Sequence, residues 1–231
     1  MTTTLLDKLV SLVVPPLCAA CREPELSGAA VCTTCTARLV PLPDPRCERC
    51  GAPVVIASPR CPECRGRRLS FRSAWAPFAY EATAPQLVVA LKARGATRAA
   101  AFMAGEIASR APPRVLAGTL VPVPAHPARR RREGLNQAAW IARALGRLTG
   151  LVVAELLERR PSSTPQVGLA RLERLANARG SVVVGAPPPG GRLVLVDDVY
   201  TTGATLDACA HALRGAGARD VAAVTFARAT R

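Results

Sequence analysis

The stretch Leu193-Val-Leu-Val-Asp-Asp-Val-Tyr-Thr-Thr-Gly-Ala-Thr205 decides how this chain folds. Four consecutive apolar residues predict a strand buried on both faces, over 192–197. Asp197 and Asp198 stand at its tip, and a turn of small residues leads into a helix over 204–215. That order suits a sugar phosphate. Backbone amides of Thr201, Thr202, Gly203, Ala204 and Thr205, at a helix N-terminus, form a cradle for a phosphate. Gly203 lets the backbone approach closely, and the hydroxyls of Thr201, Thr202 and Thr205 add donors. Asp197 and Asp198 accept hydrogen bonds from the vicinal hydroxyls of a ribose. The bland alternative is an incidental turn after a strand.

Outward from that loop, strands alternate with helices. An apolar stretch over 74–80 reads as a strand, 84–94 as a helix stopped by Gly95, and 98–110 as a helix ended before Pro112-Pro113. Next come a strand over 118–123, a long helix over 135–148 closed near Gly150, and a strand over 151–156. A polar loop with Pro161 and Pro165 precedes helical character over 169–179. A short β-branched strand over 181–184 and a last strand over 221–226 complete the pattern. Such alternation predicts an α/β fold with a mostly parallel, doubly wound sheet. Ligands of such sheets bind outside the carboxyl ends of the strands. The loops after Val123 and Val196 therefore carry the interest.

Eight of the nine cysteines form four Cys-x-x-Cys pairs: Cys18/Cys21, Cys32/Cys35, Cys47/Cys50 and Cys61/Cys64. Two thiolates three residues apart fit a knuckle turn aimed at one ion. Two knuckles complete the tetrahedral four-sulfur shell of a closed, structural Zn²⁺ site. Four knuckles make two zinc sites and a small N-terminal double zinc ribbon. Closure costs less entropy over short loops, which favours joining adjacent knuckles, while an interleaved pairing stays open. The expected division is 1–70 for an N-terminal helix and the ribbon, and 71–231 for the α/β domain. Cys209, in an apolar helical stretch, reads as a core filler.

The 231 residues carry a formal charge of +15 from 31 basic and 16 acidic side chains. Lysine occurs only at Lys8 and Lys92, so nearly all of that charge is arginine, whose planar fork matches phosphate oxygens. A polyanionic partner, nucleic acid or a phosphorylated small molecule, fits this balance, as does an ordinary solvated surface. Arg46, Arg49, Arg60, Arg65, Arg67, Arg68 and Arg72 crowd the second pair of knuckles, a rim that could lie against nucleic-acid phosphates. Aromatic residues make up 3%, which argues against a single-strand binder built on base stacking. The apolar run over 9–17 is interrupted by Pro15-Pro16 and is shorter than the ~20 residues a membrane span needs. No membrane span and a cytoplasmic location are the expectation.

The hydrophobic strand, acid pair and Thr-Gly-x-Thr loop resemble the signature of type I phosphoribosyltransferases. Other segments narrow the likeness: Val121-Pro-Val-Pro-Ala-His-Pro127, the run Arg129, Arg130, Arg131 and Arg132 before Glu133-Gly-Leu-Asn-Gln137, Thr164-Pro-Gln166, Arg174-Leu-Ala-Asn177 and Leu91-Lys-Ala-Arg-Gly95. With the cysteine knuckles, they make nearly the whole chain similar to the ComF family, competence protein F. The resemblance implies a fold of the type I phosphoribosyltransferase kind. It also implies that Asp197 and Asp198 contact the ribose, and that 201–205 bind the 5′-phosphate of phosphoribosyl diphosphate (PRPP). Mg²⁺ would arrive on that ligand's diphosphate. Arg129, Arg130, Arg131 and Arg132 would supply cations for diphosphate or DNA phosphate, beneath a loop closing over about 160–168. The family usually has Arg-Gly-Phe-Asn-Gln where this chain has Glu133-Gly-Leu-Asn-Gln137, and His126 takes no catalytic role. The function implied is a competence factor handling incoming single-stranded DNA, with a ribose-5-phosphate pocket and a helicase-like competence partner. The alternative is an active phosphoribosyltransferase, releasing diphosphate as it transfers pentose to a base. No acceptor pocket with a general base is legible; Tyr200 is the best candidate to stack a base.

Overall fold

The computed structural model describes residues 16–92, 97–125, 136–159 and 181–230. In chain order the elements are α1 (Thr33–Ala37), β1 (Ala74–Trp75), β2 (Phe78–Ala79), α2 (Thr83–Lys92), α3 (Thr97–Arg110), β3 (Thr119–Pro122), α4 (Gln137–Thr149), β4 (Leu157–Arg159), β5 (Val182–Val184), β6 (Arg192–Tyr200), α5 (Ala204–Gly215) and β7 (Asp220–Arg228).

The apolar run at 193–196 forms the middle of β6, which lies between β3 and β7 in a sheet ordered β1-β7-β6-β3. Every pairing in this sheet is parallel, with Leu193 opposite Thr119 on one side and Val221 on the other. Alternation along β6 divides its side chains between two cores. Val194 and Val196 join Leu120, Val224 and Phe226 under α2, α3 and α4, through Leu87, Leu91, Met103, Ile107, Ile141 and Leu145. Leu193 and Leu195 join Val121, Val221 and Ala223 against Leu206, Cys209 and Leu213 of α5. Both faces are thus covered, as a continuous apolar strand demands.

Three elements differ from the sequence reading. β6 runs on to Tyr200, so Asp197 lies inside the ladder opposite Thr225, followed by Val199 opposite Ala227 and Tyr200 opposite Arg228. The equally long β7 offers a partner as far as Arg228, and the turn shrinks to 201–203. The strand expected over 74–80 is two short pieces, because Pro77 has no amide to donate and its carbonyl accepts from Leu42 instead. Over 151–156 only Val153 bridges Leu120; regular pairing begins at Leu157, where β4 joins β5 in a separate antiparallel ladder.

The knuckles pack onto the edge of the sheet. Ala74 N–H donates to the Arg49 carbonyl at 3.0 Å, and Ala79 N–H to Val40 at 2.8 Å. Arg98 of α3 donates to the carbonyls of Gly28 and Ala29. Cys18, Val31, Cys35 and Leu39 belong to one core, while Cys47, Cys50, Cys61 and Cys64 belong to the other. An edge strand left open is a template for unwanted pairing, and here the ribbon covers it. No helix among the described residues is long and apolar enough to cross a membrane. The N-terminal helix and the helical stretch expected over 169–179 lie outside the described residues.

Candidate functional site

The acid pair is placed by strand geometry. Successive residues of β6 point to opposite faces, so Asp197 turns toward α5 and Asp198 toward α2. On the α2 side, Lys92 Nζ stands 3.3 Å from Asp198 Oδ2. On the α5 side, the Asp197 charge acts on the Cys209 thiol, which burial, first of all, pushes up. Loss of water around Asp197, with the Asp198 charge adding, holds its carboxyl well above the usual aspartate range. Asp198 N–H donates to Asp197 Oδ1 at 2.9 Å, and Val199 N–H to Asp198 Oδ1 at 2.8 Å, which fixes both side chains. Lys92 went unassigned at the sequence level. Its signal is rarity: it is the one lysine over 71–231, where the other basic side chains counted in the charge are arginines.

The turn that follows owes its shape to one residue. Gly203 sits at φ 73°, and a Cβ built there would lie 2.5 Å from Tyr200 Oη. A side chain is therefore excluded twice, by backbone conformation and by the ring. Gly203 precedes α5 and has no side chain with which to cap it. First-turn amides and the positive end of the helix dipole then face the turn. Thr201 and Thr202 are exposed; Ala204 and Thr205 are half-buried. Thr202 Oγ1 accepts from Ala204 N–H at 3.3 Å. The expected cradle residues are thus together, with hydroxyls and amides on one short arc.

Tyr200 does not serve as a base platform. Its ring is 3% exposed, with the Arg228 guanidinium 4.2 Å over it and Phe71 edge-on at 6.4 Å. The reach of β6 to residue 200 puts that ring beneath Gly203 rather than beside a ligand.

The cysteines gather as adjacent knuckles: Cys18, Cys21, Cys32 and Cys35 in one group, Cys47, Cys50, Cys61 and Cys64 in the other, each with sulfurs within 4.8 Å of one another. None of the eight is in a disulfide. Tetrahedral coordination at the usual Zn–S length needs about 3.8 Å between sulfurs. Separations of 3.9 Å for Cys21/Cys32, 3.6 Å for Cys47/Cys64 and 3.5 Å for Cys50/Cys61 fit it. Backbone amides aim at the sulfurs as well, Cys32 N–H at Cys18 Sγ and Cys61 N–H at Cys47 Sγ, each at 3.3 Å. Burial raises Cys18 and Cys47, but amide donors outweigh it and bring them to about 6 and about 7. One thiol of each group is thus favoured as a thiolate, while burial, first of all, pushes Cys35 up to about 12 and Cys64 up to about 11 and raises Cys50 as well. With all four positions filled by sulfur, such a site is structural.

The arginine rim divides. Arg46 turns inward, donating to the carbonyls of Ala76 and Leu42. Arg49 donates to Leu69, and Arg67 reaches the Thr202 carbonyl at 2.8 Å. Arg60, Arg65, Arg68 and Arg72 remain exposed. Arg129, Arg130, Arg131, Arg132, His126, the closing loop about 160–168, Arg174 and Asn177 lie outside the described residues.

A family model described as a double zinc ribbon domain matches residues 9–65. DNA utilization protein YhgH of Salmonella typhimurium is 29% identical over 218 residues, covering 91% of this chain and 96% of that protein. Competence protein F of Haemophilus influenzae is 34% identical over 114 residues, 48% of this chain and 50% of that protein. Among solved structures, a purine phosphoribosyltransferase from Pyrococcus horikoshii aligns at 18% identity and a TM-score of 0.32, over 57% of this chain and 72% of that one.

Proposed function

The chain belongs to the ComF family, and on that premise we propose that it serves the use of incoming single-stranded DNA, with a pocket for a ribose 5-phosphate ester such as PRPP. The family's relatives carry names for competence and DNA utilization. The observation that carries the pocket is the meeting of Asp197 and Asp198 with a glycine-shaped turn at the N-terminus of α5. Phosphate oxygens accept from the first-turn amides and the hydroxyls of Thr201, Thr202 and Thr205. The ribose diol donates to the acid pair, whose negative charge is partly balanced by Lys92. Mg²⁺ bound to the diphosphate of PRPP would neutralise charge there, together with Arg129, Arg130, Arg131 and Arg132. Zinc in the two tetracysteine sites is structural, and the exposed Arg60, Arg65, Arg68 and Arg72 present a basic face to a DNA backbone.

Calorimetric titration of zinc-replete protein tests the pocket. Ribose 5-phosphate and PRPP with Mg²⁺ are expected to give saturable heat that Asp198→Asn weakens about tenfold, the scale of one charged hydrogen bond. No heat with either ligand would overturn the reading. Diphosphate release on adding a panel of bases would identify a phosphoribosyltransferase instead.

A further inference from the structure

We propose that Arg228 is a positioning residue through which the second tetracysteine centre sets the shape of the loop at 201–205; this rests on the pentose-phosphate reading of that loop.

Arg228 ends β7 and is 1% exposed, although it carries a full charge. A buried guanidinium is costly unless most of its donors find partners. Here Nη1 donates to the Cys50 carbonyl at 2.8 Å, and Nη2 to Glu63 Oε2 at 2.7 Å, with Cys50 Sγ at 3.9 Å, while Nε has no partner among the described residues. Both partners belong to the knuckles of the second centre. The opposite side of the guanidinium stacks on Tyr200, whose Oη in turn occupies the space a Cβ of Gly203 would need. One planar group thus spans from a metal-ligand residue to the floor of the candidate phosphate turn.

The segment leaving that centre adds two further grips. Arg67, three residues beyond Cys64, donates to the Thr202 carbonyl. Ser70 N–H donates to Asp207 Oδ1 at 2.6 Å, in the first turn of α5. The first centre makes no such approach among the described residues; its side of the molecule is tied to α3 through Arg98. A bound zinc in the second centre would hold its four thiolates, and so the Cys50 carbonyl, at fixed positions. Arg228 carries that fixity to Tyr200, and the ring holds Gly203 in its left-handed conformation. A chain whose second centre has lost its ion keeps the loop's residues but loses their arrangement.

The test measures zinc content, amide hydrogen exchange over 200–206 and ribose 5-phosphate binding on the full chain. Arg228→Lys keeps the charge but not the fork. It is expected to retain zinc in both centres while exchange in the loop rises and binding weakens about tenfold. Glu63→Gln, at the rim of the contact, is expected to move both readouts the same way by less. Cys61→Ser is expected to release one zinc and loosen the loop, whereas Cys21→Ser, at the exposed ligand of the first centre, releases one zinc and leaves the loop as it was. Unchanged exchange and binding in Arg228→Lys and Glu63→Gln would overturn the proposal, as would equal loosening by Cys21→Ser and Cys61→Ser. If the parent protein binds no ribose 5-phosphate, the pocket reading fails while the exchange measurements still decide the coupling.

Discussion

Asp197 shows how one residue sets function against stability. Its carboxyl is held above the ordinary range by lost hydration and then by Asp198. An unfolded aspartate titrates near ~3.9. Folding therefore favours the protonated form, and stability falls as pH rises from that value to the folded-state pKa, then levels off. Asp197→Asn removes the penalised charge. The variant is expected to melt higher than its parent at pH 7, by about 2–4 °C for each kcal/mol recovered, while losing ribose 5-phosphate affinity. The gain should shrink toward pH 4, where the parent's carboxyl is already neutral. Melting curves at a series of pH values check this, and a gain independent of pH would contradict it. Asp198 differs because it faces the other way, onto Lys92. The acid pair was plain in the sequence, but the division of its two side chains between opposite faces follows from the reach of β6 to Tyr200, which local pattern did not predict.

Elements bring a second lesson, about the sheet edge. The short strands β1 and β2 are too brief to protect β7 by themselves, and the backbone around Val40, Leu42 and Arg49 completes their pairing. Gly51 allows the approach: at φ 72°, its Cβ position would meet the Ala74 carbonyl at 2.6 Å. Removing zinc with a strong chelator is therefore expected to lower the melting temperature and to promote association through the uncovered edge. Differential scanning calorimetry with light scattering reads both effects, and unchanged melting after verified metal loss would contradict it. The Cys-x-x-Cys spacing was enough to expect four knuckles. Their fusion with both cores, with Cys18 and Cys35 under the helices and Cys47 to Cys64 under the sheet's other side, needed the folded molecule.

Across the whole molecule, the charge of +15 governs how it meets a polyanion. Binding to single-stranded DNA through arginine–phosphate contacts is expected to weaken linearly in log affinity against log salt, with a slope of about −0.7 for each phosphate neutralised. Arg60→Ala and Arg65→Ala should each flatten that slope while leaving ribose 5-phosphate titrations unchanged; fluorescence anisotropy over a salt series measures it. A salt-independent affinity would exclude a backbone-led interaction. By itself the order of residues determined the alternating α/β pattern, the four knuckles and the acid-then-glycine loop, because each is a local matter of periodicity, ligand spacing or allowed backbone angles. Only the tertiary structure decided that Tyr200 is a buried support, that Lys92 faces Asp198, and that Arg228 joins a cysteine knuckle to the loop. Those contacts join residues far apart in the chain, and no local periodicity records which distant side chains will share a desolvated space.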